Sequence, residues 1–470
     1  MWVTWGLVLF LALNGLVLNG VLWLASPPDF RATILRECIP PAPQSDCRAT
    51  VLEHSRDLLK GQGGDDSWGV MHVALNHIKA SPQTPVYSEL FFTKLYRFQY
   101  PPSSLFALEG LRLAGPDRVR TQDGMVFEGW PPINDMVAWV FILITAAATA
   151  CLLELYLRRN QVVDGNRGLM AVRVLAVAGL TLTFYPVVKA FTLGQIQVWI
   201  NGLFALSLLS WALDRKALGG VLIGVICLIK PHYGLFLLWA VLRREWRFIA
   251  AGVATVGFGL AASLIVFGWA NHTDYLRVLA FLSEHGEAYY PNQSLNGLLN
   301  RLMGVDNPGL YINLEIPPGK FPPFNPWVYG TTLAASITIL AAAILRRADT
   351  SDRVWDFGRM ALSCTLASPI AWEHHHGVLL PVFAVVLASA VGNRTRLLWL
   401  VASYVLVSNF VPAANLLAPT FLNPAQSHLL AGAVILLVIL HRGPQRDAST
   451  HAAPSVTVGS AGSPSLPRAA

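Results

Sequence analysis

The sequence predicts an all-α integral membrane protein that crosses the bilayer many times. Three observations carry that class. Of 470 residues, 54% are apolar and only 13% charged, and mean hydropathy is +0.48, too oily for a soluble domain. Apolar runs approaching the ~20 residues of a bilayer crossing recur along the chain. Short arginine clusters punctuate them. Backbone amides inside a bilayer must bond within the chain, so the spans are expected to be helices, and the short alternating segments of a β-barrel are absent. The net charge of +7 is spread over the arginine clusters rather than gathered in one patch, which speaks for membrane topology and against nucleic acid.

The first run, 3–25, lacks the basic start and short apolar core of a cleaved signal peptide and is expected to be a retained span. Residues 26–134 form the one long polar loop, with Asp46 to Lys60 and Val70 to Lys79 read as short amphipathic helices on the membrane surface. Later runs are 135–157, 169–188, 196–213, 217–229, 233–242, 248–270, 327–345, 354–372, 377–391, 397–413 and 427–441. Together they give about twelve spans in one transmembrane domain, 1–442. The segment 443–470, rich in Ala, Ser, Pro and Gly, has nothing to bury and is expected to be a disordered tail.

Runs 217–229 and 233–242 are read as two half-spans. One continuous helix would strand Lys230 near the bilayer centre at a cost of ~3 kcal/mol, and Pro231 cannot continue the hydrogen-bond ladder. Thirteen residues rise only ~20 Å, so Lys230 to Tyr233 is expected to sit recessed below the outer surface. Basic residues at every second connection, from Arg158, Arg159 and Arg167 to Arg442 and Arg446, mark the cytoplasmic side. Both termini are then cytoplasmic, loops 26–134 and 271–326 face outward, and the cell membrane is the expected location. Cys151, Cys227 and Cys364 fall in apolar spans as packing residues; Cys38 and Cys47 share the outer loop and are free to pair if it meets an oxidising compartment.

Orientation drawn from arginines alone sorts the polar residues at span ends onto one face. Asp65, Asp66, Tyr100, Lys189, Gln195, Gln197, Lys230, His232, Asn292, Gln293, Ser294, Arg301, Trp372, Glu373 and His374 to His376 all fall at or near the outer side. Asp65 and Asp66 are either solvated turn residues after Gly63-Gly64 or a close carboxylate pair suited to general-base work. Gln195 and Gln197 are either interhelical glue or substrate contacts. A lysine between half-spans is a functional candidate by default, and its natural partner is an anion such as phosphate. Arg301 is either a lipid-headgroup contact or a phosphate clamp. Three consecutive histidines point about 100° apart on a regular helix and cannot chelate one ion, so no metal site is expected. No phosphate loop, dinucleotide fingerprint or zinc-binding cysteine pattern occurs. The runner-up function is a transporter or flippase of a lipid-linked or anionic substrate, suggested by the broken pair around Lys230.

Three blocks carry a family resemblance. Gly194-Gln195-Ile196-Gln197 through Ile229-Lys230-Pro231 to Arg243-Arg244-Glu245-Trp246, Asn292-Gln293-Ser294-Leu295 with Arg301, and Ser368-Pro369-Ile370-Ala371-Trp372-Glu373-His374-His375 follow in order over about 190–380. They resemble glycosyltransferase family 87, once called DUF2029, of the polytopic GT-C class. The resemblance implies a GT-C-like fold and an inverting transferase that moves mannose, or sometimes arabinose, from a polyprenyl-phosphate donor on the outer side. It implies a glycan or glycolipid acceptor, no required cofactor, and an aspartate of the first outer loop as base. Asp66 is the preferred base, with Asp65 and His374 beside it; Asp29, nearer the first span, is held in reserve. Lys230, Arg301 and His232 are expected to hold the donor phosphate. Gln195, Gln197, Tyr100, Asn292, Gln293, Trp372, Glu373 and His375 are expected to contact substrate.

Overall fold

The computed structural model describes residues 1–26, 48–113, 118–122, 125–129, 131–163, 165–303, 321–346 and 353–444. Asp29, Cys38, Cys47 and the tail beyond Pro444 lie outside the described residues. Helices make up nearly every element. α1 (Trp2–Leu24) is the first apolar helix, wound as a π-helix between Leu11 and Leu18. α2 (Val51–Leu59), α3 (Asp66–Ala80) and α4 (Leu105–Leu113) belong to the polar loop. A two-stranded antiparallel hairpin, β1 (Arg118–Gln122) and β2 (Met125–Gly129), closes that loop and was not foreseen from the sequence.

The chain then runs through α5 (Pro131–Arg159), α6 (Arg167–Leu182), α7 (Tyr185–Leu193), α8 (Gln197–Ala212), α9 (Lys216–Ile229) and α10 (Leu235–Leu242). It continues with α11 (Trp246–Phe267), α12 (Trp269–His285), α13 (Leu295–Met303), α14 (Pro326–Leu345), α15 (Arg353–Leu366), α16 (Leu379–Ala390), α17 (Arg394–Ser408) and α18 (His428–Arg442). Among the described residues, five helical stretches are long and apolar enough to cross a membrane, six if the bent pair α6 and α7 is one span. The run expected as a single span over 169–188 is that bent pair. Pro186 has no N–H to offer Leu182, so the ladder breaks and the two helices meet at 53°. Of the two expected loop helices, α2 falls within Asp46 to Lys60, and α3 contains Val70 to Lys79 and starts four residues earlier. Both turn apolar faces into the protein, with Val51, Leu58, Met71, Ala74 and Leu75 fully buried.

Oily helices need more than apolar contact to choose partners in a bilayer; small residues and polar pairs supply it. α9 and α11 pack through Gly220, where an added Cβ would lie 2.2 Å from the Phe248 carbonyl oxygen. α1 docks through amides: Asn19 Nδ2 donates to Asn409 Oδ1 at 2.8 Å, and Asn409 Nδ2 returns a bond to Asn14 Oδ1 at 2.8 Å. Arg173, fully buried, pairs with both oxygens of Glu154 and donates to Thr4 Oγ1 at 2.9 Å.

α9 separates two polar ends. At its start, Lys216 lies 3.1 Å from the Trp211 ring centroid, and Trp211 Nε1 donates to the Arg353 carbonyl. One turn on, Asp356 accepts from Arg243 Nε (2.9 Å), Arg359 Nη1 (3.0 Å) and Trp239 Nε1 (3.1 Å). Arg243 also caps the last carbonyls of α14, so one guanidinium ties α10, α14 and α15 together. At the other end of α9 stands Lys230.

Candidate active site

The first wall of the site is a backbone contact that glycine permits. Gly194 ends α7 with φ +72°, and a Cβ there would fall 1.9 Å from the Gly64 carbonyl oxygen. A Cβ on Gly64 would in turn meet the Leu193 carbonyl oxygen at 2.7 Å. The Gly63-Gly64 turn therefore lies flat on the end of α7 and delivers Asp65 as the residue before α3 and Asp66 as its first residue. Ser67 N donates to the Gly194 carbonyl at 3.3 Å, which sets the register.

A compact polar knot follows. Ser67 Oγ donates to Gln195 Oε1 at 2.6 Å, lies 2.7 Å from Tyr100 Oη, and accepts from the Ile196 amide at 3.1 Å. Tyr100 Oη also donates to Gln195 Oε1 at 2.8 Å. With its oxygen engaged, Gln195 has its amide nitrogen left to donate, and it donates to Asp66 Oδ2. Burial pushes the Tyr100 phenol above its ordinary pKa and the neighbouring Asp66 adds to that, against the opposing bond from Ser67, so Tyr100 stays a proton donor.

The second wall begins where α9 stops. Lys230 is extended (φ −133°, ψ 96°), and its Nζ donates to Gln197 Oε1 at 2.6 Å. Gln197 passes a bond to Asn201 Oδ1 at 3.0 Å. The two glutamines of Gln195-Ile196-Gln197 thus serve two groups: one holds the Asp66 carboxylate, the other the Lys230 ammonium. His232 follows in a 3₁₀ turn (Pro231–Gly234), its ring 4.7 Å from Tyr233. The helix break expected at Lys230-Pro231 is present.

The histidines occupy a second 3₁₀ turn, Glu373–Val378, packed on α7 and α8. Gly377 admits it there: a Cβ would lie 2.3 Å from Asn201 Nδ2. His374 and His375 are electrostatic neighbours of Lys230. His374 is 5% exposed, and its Nε2 has no partner among the described residues. Glu373 is buried and accepts from Tyr185 Oη at 2.6 Å. Lys189, on α7 and half-buried, neighbours Glu373 and His374 but makes no ion pair among the described residues. Among those residues no three His, Cys, Asp or Glu side chains converge as a metal would require.

Asn292, Gln293 and Arg301 sit one layer back. All three are fully buried. Asn292 Nδ2 donates to the Glu287 and Pro369 carbonyls at 2.8 and 3.1 Å, and its Oδ1 accepts from the Ala371 amide. Gln293 Nε2 donates to the Tyr290 and Gln426 carbonyls, both at 2.8 Å. Arg301 donates to the Ala288, Tyr289 and Asn292 carbonyls and to Ser427 Oγ. Burial lowers its pKa to about 9, with Glu373 opposing, so it remains a cation at neutral pH. These groups brace the strand-like bridge between Asn292 and Trp372, whose ring lies edge-on to Tyr289 at 6.2 Å.

The structure brings Asp66, Tyr100, Gln195, Gln197, Lys230, His232, His374 and His375 into one contiguous zone. Asp65 is adjacent, and Trp372 and Glu373 border it. Ser67 and Tyr185 were not singled out from the sequence, and Lys189 had no role assigned; a lone serine or tyrosine carries no spacing signal. Asn201, read with Gln195 and Gln197 as interhelical glue, does bond Gln197. The profile of glycosyltransferase family 87 matches residues 98–371, more than half of the chain. The chain belongs to glycosyltransferase family 87. That match takes in Tyr100, both glutamines and Lys230 of the candidate site, while Asp66 and His374 lie outside it.

Among curated proteins, this family 87 chain is 27% identical over 281 residues to a polyprenol-phosphate-mannose-dependent alpha-(1-2)-phosphatidylinositol mannoside mannosyltransferase of Mycolicibacterium smegmatis, covering 57% of the chain and 59% of that protein. It is 29% identical over 226 residues to the mannosyltransferase of the same description from Mycobacterium tuberculosis, 47% of the chain and 48% of that protein. A phosphatidylinositol pentamannoside mannosyltransferase of Mycobacterium tuberculosis matches at 29% over 200 residues, 42% of the chain and 41% of that protein. The chain thus spans about half the length of the curated relatives it matches. No solved structure matches it significantly.

Proposed function

We propose that this family 87 protein transfers a mannosyl group from a polyprenyl-phosphate donor to a hydroxyl of a glycan or glycolipid, with inversion at the anomeric carbon. The observation that carries the proposal is the Gln195-Ile196-Gln197 segment, whose two glutamines, two residues apart, bond the Asp66 carboxylate and the Lys230 ammonium respectively. The mannosyltransferases it resembles, which use polyprenol-phosphate-mannose and act on phosphatidylinositol mannosides, support this choice of donor and acceptor class.

A sugar phosphate brings its own leaving group, so the protein has two tasks: to take a proton from the acceptor and to accommodate charge on the departing phosphate. Asp66 takes the acceptor proton as the acceptor oxygen bonds to the anomeric carbon and the bond from that carbon to the phosphate oxygen breaks. Lys230 carries the main counter-charge, with His232, His374 and Lys189 around it; the unpartnered Nε2 of His374 is available to a phosphate or sugar oxygen. Tyr100, Gln195 and Gln197 orient these groups, and His375, Trp372 and Glu373 line the sugar side. Asn292, Gln293 and Arg301 set the loop that presents Trp372 to His374. No step requires a metal. About twelve crossings, with both termini and the Asp356 end cytoplasmic, would place the Lys230 end outside.

The test is purified protein in lipid nanodiscs, given labelled polyprenyl-phosphate-mannose and a panel of phosphatidylinositol mannosides. Asp66→Asn is expected to lower kcat by roughly 10²–10⁴ with donor KM little changed. A variant as fast as wild type would move the base to Asp65 or Asp29. A wild-type protein that transfers no sugar from any polyprenyl phosphate overturns the assignment.

A further inference from the structure

The site is built from two parts of the chain that sequence separates widely. One is the Phe98 to Tyr100 segment, which carries the Tyr100 hydroxyl to Gln195. The other is the 287–292 segment, which pairs with Trp372 and so seats the histidine turn. Between them runs one ion pair: Arg97 Nη1 lies 2.6 Å from Glu287 Oε2.

The surroundings of that pair are constructed on both sides. Glu287 is 2% exposed, and its second oxygen accepts from the Tyr289 amide at 3.3 Å. Its backbone is fixed as well. Its N–H donates to Asn296 Oδ1 at 3.2 Å, and its carbonyl accepts from Asn292 Nδ2 at 2.8 Å. Gly286 before it has φ +62°, a turn that aims the carboxylate inward. On the other side, the Arg97 guanidinium lies 4.6 Å from the Phe321 ring centroid. Phe98 and Tyr100 are held in turn by Tyr87, whose ring stacks on Phe98 at 5.3 Å and whose hydroxyl donates to the Tyr100 carbonyl at 2.5 Å.

Burial pushes the Glu287 carboxyl upward, and Arg97 works against that shift. Arg97 is 31% exposed, so the pair is buried on the Glu287 side alone; such a pair is a poor source of net stability, because desolvation and solvent screening offset most of the attraction. What such a pair does well is fix geometry, since breaking it leaves a buried charge without a partner.

We infer that the Arg97–Glu287 pair is a positioning latch: it fixes the Trp372-Glu373-His374 turn in register with the Tyr100, Gln195 and Asp66 side of the site. Neither residue touches the reacting atoms in this assignment; both act through the loops they join. The inference rests on the transferase proposal for its consequence in catalysis, and on geometry alone for its consequence in structure.

Two readouts keep those apart, both on the full-length protein in nanodiscs. Hydrogen exchange of amides 98–100, 288–293 and 371–376 reads the latch without any substrate. Transfer from labelled polyprenyl-phosphate-mannose reads its catalytic effect. Arg97→Gln leaves a buried carboxylate unpaired and is expected to speed exchange in all three segments while α8 and α9 stay protected. It should lower kcat by about ten- to a hundredfold, the scale of a small misplacement of reacting groups, with donor KM within about twofold. Arg97→Lys keeps the charge and is expected to recover most of both. The neutral pair Arg97→Gln/Glu287→Gln should cost less than Arg97→Gln alone, the mark of coupled residues.

Costs that simply add, or Arg97→Gln protein with wild-type exchange in the 288–293 and 371–376 segments, would overturn the latch. If Arg97→Gln does not fold, the neutral pair decides: its folding with restored protection supports the latch, and its failure overturns it. Altered exchange in a protein whose wild type transfers no sugar would leave the latch standing and remove the transferase proposal instead.

Discussion

The two ends of α9 treat charge in opposite ways. At the Asp356 end every buried charge is answered: Asp356 is 1% exposed and accepts from Arg243, Arg359 and Trp239, and Arg243 completes its donors on the α14 carbonyls. At the Lys230 end two lysines are left without an ion pair. Lys230 bonds a neutral glutamine oxygen and Lys189 makes no ion pair, both among the described residues, and the Nε2 of His374 has no partner among them. A buried cation without an ion-pair partner costs free energy, which fits a place where an anion arrives from outside. One end holds helices together; the other is where we propose the donor phosphate binds.

The comparison can be broken from either side. The largest effect on folding is expected at the answered end. Asp356→Asn leaves Arg243 and Arg359 without their carboxylate and should destabilise the protein by about 3–5 kcal/mol. Thermal unfolding in detergent would register the loss, while the protein that remains folded binds donor as before. A variant with wild-type stability would mean that the cluster is incidental. Next comes the glycine contact under Asp66. Gly194→Ala places a Cβ on the Gly64 carbonyl and strains a positive φ, at a cost of about 1–3 kcal/mol. The expected outcome is a folded protein whose 63–67 amides exchange faster and whose transfer activity falls.

The smallest effect is a pH dependence. His54, on α2, bonds Thr192 Oγ1 at 2.8 Å and packs edge-on against Tyr185. Burial holds its pKa well below the ordinary histidine value, and the charges of Lys189 and Arg48 push the same way. The folded state keeps it neutral while the unfolded chain protonates near pH 6.5, so its stabilising contribution is present above that pH and is lost as pH falls below it. The slope is at most about 1.4 kcal/mol per pH unit. His54→Gln should flatten the unfolding temperature between pH 7 and 5; an unchanged slope would assign the dependence elsewhere.

Much of the helical skeleton was readable because apolar periodicity and arginine punctuation report directly on burial in lipid. The break at Lys230-Pro231 was legible for the same reason, since a charge and a proline both oppose a continuous span. The bend at Pro186 carried the same proline signal but fell inside an uninterrupted apolar run, which masked it. The hairpin after α4 had no strong alternation to announce it. In the site, residues with unusual chemistry in an oily context stood out, as Asp66, Lys230 and the histidines did. Their supports did not. That Gln195 and Gln197 answer different groups, and that Asn292, Gln293 and Arg301 spend most of their donors on backbone carbonyls, depends on contacts made by the tertiary fold, from Lys230 on Gln197, 33 residues apart, to Gln293 on Gln426, 133 apart. Sequence spacing has no access to such contacts, and a buried arginine looks the same in it as an exposed one.

Phosphate binding by the Lys230 end is tested by equilibrium binding of a sugar-free polyprenyl phosphate to full-length protein in neutral-lipid nanodiscs. Wild type should bind it, and Lys230→Gln should bind it about ten- to a hundredfold more weakly, the loss of one charge-assisted hydrogen bond. Equal affinity for the two proteins would contradict the account.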